Sequence, residues 1–246
     1  MFSLPSYIMN ARIADTLLRF AWDNSDTQVA EGETDADLVK RLSRLSQRAN
    51  LEYAVALAEW IVGRFRMFPG IEKSYQYVEA SWAAAVDLRY CRVVWEDFPH
   101  PDKWEDPVRG PVWLAMLRLQ QTIGSLVEEN DPEYTASKLW QLAVHVIPNT
   151  ESVENWNRLA LARMEQRCPR LENDSLGDVM PREFFDPNSE VLPAQAEGLI
   201  DRFLRSLSPL DNPFLNTPER MHEEGFADTP YQFSLALDRA RRGIQS

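Results

Sequence analysis

The densest concentration of groups capable of chemistry is WEDFPHPDKWEDP, Trp95 to Pro107. It sets His100 among Glu96, Asp97, Asp102, Glu105 and Asp106, with Trp-Glu-Asp at both ends. Carboxylates with one imidazole are a donor set for a divalent cation, and an imidazole among acids is a candidate proton carrier. Pro99 and Pro101 argue against both uses, because they stiffen the backbone on either side of the histidine. The acids also follow no spacing that would close a coordination sphere. Recognition suits the same residues better: acids attract a basic partner, and tryptophan supplies a large, rigid anchor. Trp95, Asp97, Asp102, Trp104, Glu105 and Asp106 are therefore the candidate partner-binding residues. No catalytic residue, metal ligand or cofactor is assigned.

The remaining reactive side chains are dispersed. His145, in LAVHVI, reads as a buried imidazole with one hydrogen-bond partner, and His222, beside Glu223 and Glu224, as a solvated one. Cys91 and Cys168 are far apart and read as two semi-buried thiols rather than a disulfide framework. Adjacent acids such as Glu128 and Glu129 are ordinary solvated pairs, since only burial moves a carboxyl toward a catalytic range. Glu59, in the most apolar segment, and Asp87, between Val86 and Leu88, are the interior acids. Each needs a cation such as Arg64 or Arg89, a pairing that is normally structural. The chain has no P-loop, G-x-G-x-x-G, G-x-S-x-G or H-E-x-x-H pattern and no calcium loop. Groups assembled from distant helices would leave no such trace.

The formal net charge of −12 disfavours binding to nucleic acid or to an anionic membrane, because no basic excess exists to release counterions. It favours a basic protein partner, although acidity also serves solubility alone. The acids concentrate in connecting segments: six fall in 23–37, five in 96–106, four in 128–133 and six in 172–190. Gathered at one end of a helical bundle, they would make a focused negative surface. Arginine outnumbers lysine 22 to 4, a bias that composition of the source explains as readily as function.

Helical periodicity supplies the elements that must hold these groups. Leu38, Leu42, Leu45 and Ala49 share one face behind a cap at Thr34 or Asp35. LEYAVALAEWIVGRFRMF is apolar around most of its circumference, which predicts a central, buried helix ended by FPG at Phe68–Gly70. A helix from Ile71 is expected to run to about Trp95, and Pro111 sits in the first turn of the next. Asp131 is the expected cap of the following helix and Thr150 of the one after it, and a helix over about Pro5–Trp22 opens the chain.

After Cys168 the pattern loosens. Half of the sixteen prolines lie from Pro169 onward, and all eight tryptophans lie at or before Trp156. The expected organisation is a helical core over 1–168 with a loop-rich extension over 169–246. Phe184, Phe185, Phe203, Phe214, Phe226 and Phe233 would anchor that extension. Helices are expected in AQAEGLIDRFLRSL and YQFSLALDRARRGI. The fold class is all-α, either an irregular multi-helix bundle or a short helical stack. No apolar run approaches the roughly 20 residues that cross a bilayer, and Arg12, Asp15 and Arg19 interrupt any leader, so a cytoplasmic location is expected.

Three functions fit. The first is a non-enzymatic binding protein whose acidic, tryptophan-bearing surface engages a basic partner, as a bacterial immunity-type inhibitor engages a toxin or nuclease. The second is a helical enzyme with a small-molecule pocket between helices. The third is a structural scaffold with no exposed aromatic patch.

Overall fold

The computed structural model describes residues 3–15, 17, 18, 20, 22, 34–92, 105–128, 130–148, 150–226 and 231–244. Among them the chain is all-α, with no strand. The helices are α1 (Ser6–Asn10), α2 (Ala36–Leu42), α3 (Gln47–Arg64), α4 (Glu72–Val86), α5 (Arg109–Val127), α6 (Glu133–Val146), α7 (Thr150–Arg167), α8 (Pro193–Arg205), α9 (Pro218–Glu223) and α10 (Leu235–Arg241). Short 3-10 turns cover Ile13–Asp15, Leu88–Tyr90 and Arg182–Phe185.

As its composition predicts, α3 is the axis of the fold, and every residue from Arg48 to Arg64 is buried. It packs against α1, α4, α5, α6 and α7. A solenoid would let each unit touch only its neighbours, so this is a bundle around one central helix. Close packing dictates Gly63: a Cβ there would meet Ile8 Cγ2 at 2.7 Å, where α1 crosses α3.

The stripe from Leu38 to Ala49 is buried throughout, yet it is not one helix. Asp35 caps α2 by accepting from Leu38 N at 3.0 Å, and the chain then breaks at Ser43–Ser46. The break is stabilised from elsewhere. Ser46 N donates to Cys168 O, Gln47 N to Ser175 O and Arg48 N to Leu176 O, so distant carbonyls satisfy the first amides of α3. The buried Asn50 amide closes the other side, donating to Leu42 O at 3.1 Å and Ser46 O at 3.0 Å.

Other boundaries shift for local reasons. The N-terminal helix stops at Asn10, because Arg12 takes a φ of +52° and a 3-10 turn follows. α4 ends at Val86 rather than near Trp95: Asp87 is extended and caps the Leu88–Tyr90 turn, accepting from Arg89 N at 3.0 Å. Asp131 does not cap α6 but pairs with Arg170 at 2.7 Å, and Thr150 is the first residue of α7 rather than its cap. Residues 169–192 are irregular except for one 3-10 turn, and α9 is an additional short helix.

A single apolar core runs through both sides of position 168. Phe184, Phe185, Phe214 and Phe226 are buried in it, while Phe203 and Phe233 pack at its edge. Trp156 fastens the irregular segment to the bundle by donating from Nε1 to Phe185 O at 2.9 Å.

Candidate functional site

The arginines decide what kind of surface remains. Irregular backbone brings carbonyls into the interior without helical partners, and each needs a donor. Arg163 donates to Phe184 O (3.0 Å), Asp186 O (2.7 Å) and Pro187 O (3.1 Å), and Arg167 donates to Val191 O at 2.7 Å. Arg64, fully buried, holds Ile13 O, Leu17 O and Val146 O, tying the N-terminal segment to the end of α6. Arg48 holds Gly177 O and Val86 O, and Arg182 holds Ser3 O. The planar fork with five donors suits this work, which an ammonium cannot do from one position. Much of the positive charge is thereby turned into the fold.

The interior acids are engaged as well. Glu59 Oε1 accepts from Trp82 Nε1 at 2.8 Å and from Arg182 at 2.6 Å, so its cation is Arg182 rather than Arg64 or Arg89. Burial raises its pKa, and Arg182 and Trp82 partly oppose that. Glu52, also fully buried, accepts from Met180 N at 2.8 Å, and its desolvation raises its pKa well above the ordinary value. Asp87 pairs with Arg89 at 2.6 Å, as the sequence suggests. These carboxylates brace helices and loops. Cys91 and Cys168 are buried free thiols, and burial pushes Cys91 up to about 12, where it is no nucleophile at neutral pH.

Of the six residues expected to bind a partner, Trp95, Asp97, Asp102 and Trp104 lie outside the described residues, as does His100. Glu105 and Asp106 are exposed. Asp106 also starts α5: its Oδ1 accepts from Val108 N at 2.9 Å and Arg109 N at 2.7 Å. Arg109 lies against Gly70, which places this stretch at the C-terminal end of α3. His145 packs edge-on to Phe20 at 5.7 Å, and His222 is exposed on α9.

The acidic segments do not all gather at one end. Those at 34–37, 128–133 and 170–174 meet at the opposite end from Asp106, around the N-terminus of α3. Tyr134 is hydrogen-bonded to Thr34, Asp131 is paired with Arg170, and Arg170 N donates to Arg44 O at 2.8 Å. Asp35, Asp37, Glu128, Asp131 and Glu172 are exposed there. So are three apolar side chains: Val127 at 61%, Tyr134 at 51% and Leu171 at 51%. Exposed acids thus surround exposed apolar groups, and none of these acids is buried, the condition that would move a carboxyl toward a catalytic range. Further along, Asp174 and Asp178 are paired with Arg239 of α10 and with Arg242 just after it.

No known family model, curated protein or solved structure matches the chain. Function therefore rests on this geometry. Among the described residues, no group of three or more His, Cys, Asp or Glu side chains is placed to hold a metal ion. Among them, too, no helix is long and apolar enough to cross a membrane. Sequence reasoning missed the surface around Tyr134 because Tyr134, Leu171 and Asp37 are each unremarkable in sequence and meet only through the helix ends. The available signal was the excess of arginine, which marks a fold braced by guanidinium groups.

Proposed function

We propose that this protein binds a basic protein partner through its acidic surface, as an inhibitor of the immunity type would bind a cationic toxin or nuclease. The observation that carries this reading is the division of charge: arginines donate into the fold, while Asp35, Asp37, Glu128 and Glu172 stand exposed around Val127, Tyr134 and Leu171. Opposite fields raise the rate of encounter, and partly exposed aromatic and aliphatic groups give the contact its lifetime. The stretch Trp95 to Asp106 remains a second candidate contact, and its described residues Glu105 and Asp106 lie at the other end of the bundle.

Affinity purification from the source cells at low and high salt tests this. The reading expects a basic protein retained at low salt and released at high salt. A retained partner that is acidic, or retention indifferent to salt, would overturn it.

A further inference from the structure

The helix α10 has no buried residue, an unusual way for a closing helix to be held. Its docking is electrostatic. Asp238 accepts two 2.8 Å bonds from Arg48, while Arg239 bonds Asp178, and Arg242 bonds both Asp174 and Asp178. Arg241 approaches Asp87 at 3.9 Å and lies over the Phe226 ring at 5.1 Å. Seen from the body of the protein, α10 delivers the cationic stretch Arg239-Ala-Arg241-Arg242 into a groove whose carboxylates are Asp87, Asp174 and Asp178.

The packing beneath it is incomplete. A cleft of about 340 Å³, bordered by Tyr90, Phe226, Phe233 and Leu237, opens on one side of the helix. A second of about 250 Å³, bordered by Val179, Ile200 and Leu235, opens on the other. Without apolar burial the helix lacks the main source of docking free energy. Ion pairs replace it poorly, because desolvation cancels much of their attraction. Such an element opens while the core stays folded.

We propose that the Asp87–Asp174–Asp178 groove is a receptor for an arginine-rich segment of a basic protein, and that α10 occupies it in cis. A partner carrying arginines at similar spacing, with an acid to meet Arg48, competes with α10 for the same carboxylates. The proposal rests on the basic-partner reading above and adds to the Tyr134 surface a further contact for that partner, with what it must displace there.

The probe is a fluorescent peptide, SLALDRARRGIQS, which copies residues 234–246. It is titrated into the full-length protein and into the full-length R239A/R242A variant, whose own latch is weakened. The peptide should bind the variant at least tenfold more tightly than the wild type, and adding D174N/D178N should abolish binding. Equal affinity for both, or no binding to either, would overturn the proposal.

Hydrogen exchange on the wild-type protein decides the matter should the variant fail to fold. Amides of 236–242 should exchange well before those of α3, and faster still when the peptide is present. Exchange of both in one concerted step would overturn it. Loss of the peptide result with salt-sensitive capture of a basic protein intact would overturn the groove as receptor and leave the basic-partner reading standing. Loss of capture with the peptide result intact would overturn the basic-partner reading, and with it the groove's role as a receptor for a second protein.

Discussion

Arg48 and Asp238 meet through two parallel 2.8 Å hydrogen bonds although 190 residues separate them in sequence. The same guanidinium holds Gly177 O and Val86 O, so one side chain joins the start of α3, the end of α4, the 170s loop and α10. A fork whose members are all satisfied is stable in a low dielectric, and losing the fork strands several acceptors at once.

Removing the two partners should therefore have unequal costs. Arg48→Ala is expected to lower the unfolding free energy by about 3–5 kcal/mol, since it leaves the Gly177 and Val86 carbonyls without their donor and leaves Asp238 with Arg242 alone. Asp238→Ala should cost about 1–3 kcal/mol, because α10 can lift and let water reach Arg48. Urea unfolding of both variants checks this, and equal losses would contradict the asymmetry.

Arg163 gives a more local prediction. Its three carbonyl acceptors lie within residues 184–187, next to the 3-10 turn that packs on α3. Arg163→Ala should open this segment to limited proteolysis and cost about 1–3 kcal/mol, with the helical signal in circular dichroism retained. Arg163→Lys should rescue little, since one ammonium cannot span three acceptors. Protease resistance equal to that of the wild type in both variants would remove the clamp from the account.

The buried acids set the dependence on pH, and their signs differ. Glu52 has its pKa raised by desolvation, so the folded state keeps its proton above the ordinary value of 4.5 while the unfolded state loses it. Stability from this group is present below that value and falls as pH rises toward the folded pKa. Asp178 is lowered by its bond to Arg239, and Glu165 by its bond to Arg41. Their contributions hold at neutral pH and fade as pH falls below the usual carboxylate range. Glu52→Gln should flatten the decline in urea midpoint as pH rises above the ordinary carboxylate range, while leaving the acid limb unchanged. Parallel profiles for variant and wild type would contradict this.

How much of this was legible in sequence depended on whether a feature is local. The all-apolar face of α3, the stripe from Leu38 to Ala49 and the phenylalanine anchors all follow from composition within one segment. The break at Ser43–Ser46 does not, because the acceptors that stabilise it come from Cys168, Ser175 and Leu176. Nor does the end of α4 at Val86, where nothing in the sequence forbids another turn but Asp87 bonds Arg89 instead. The partner of Glu59 is beyond the reach of sequence for the same reason: Arg182 arrives from an irregular segment that periodicity cannot position. Asp106 shows a residue legible as exposed and acidic whose capping of α5 only the backbone reveals.

The central claim is that exposed acid around Tyr134 captures a basic protein. Asp37, Glu128 and Glu172 lie on that surface away from the buried ion pairs, so D37N/E128Q/E172Q changes its charge with little effect on folding. The direct measurement is the affinity of the captured basic partner for the wild type and for this variant at low and high salt. The account predicts weaker binding by the variant at low salt, a shallower loss of affinity with salt, and convergence of the two proteins at high salt. Equal affinities and equal salt dependence would contradict it.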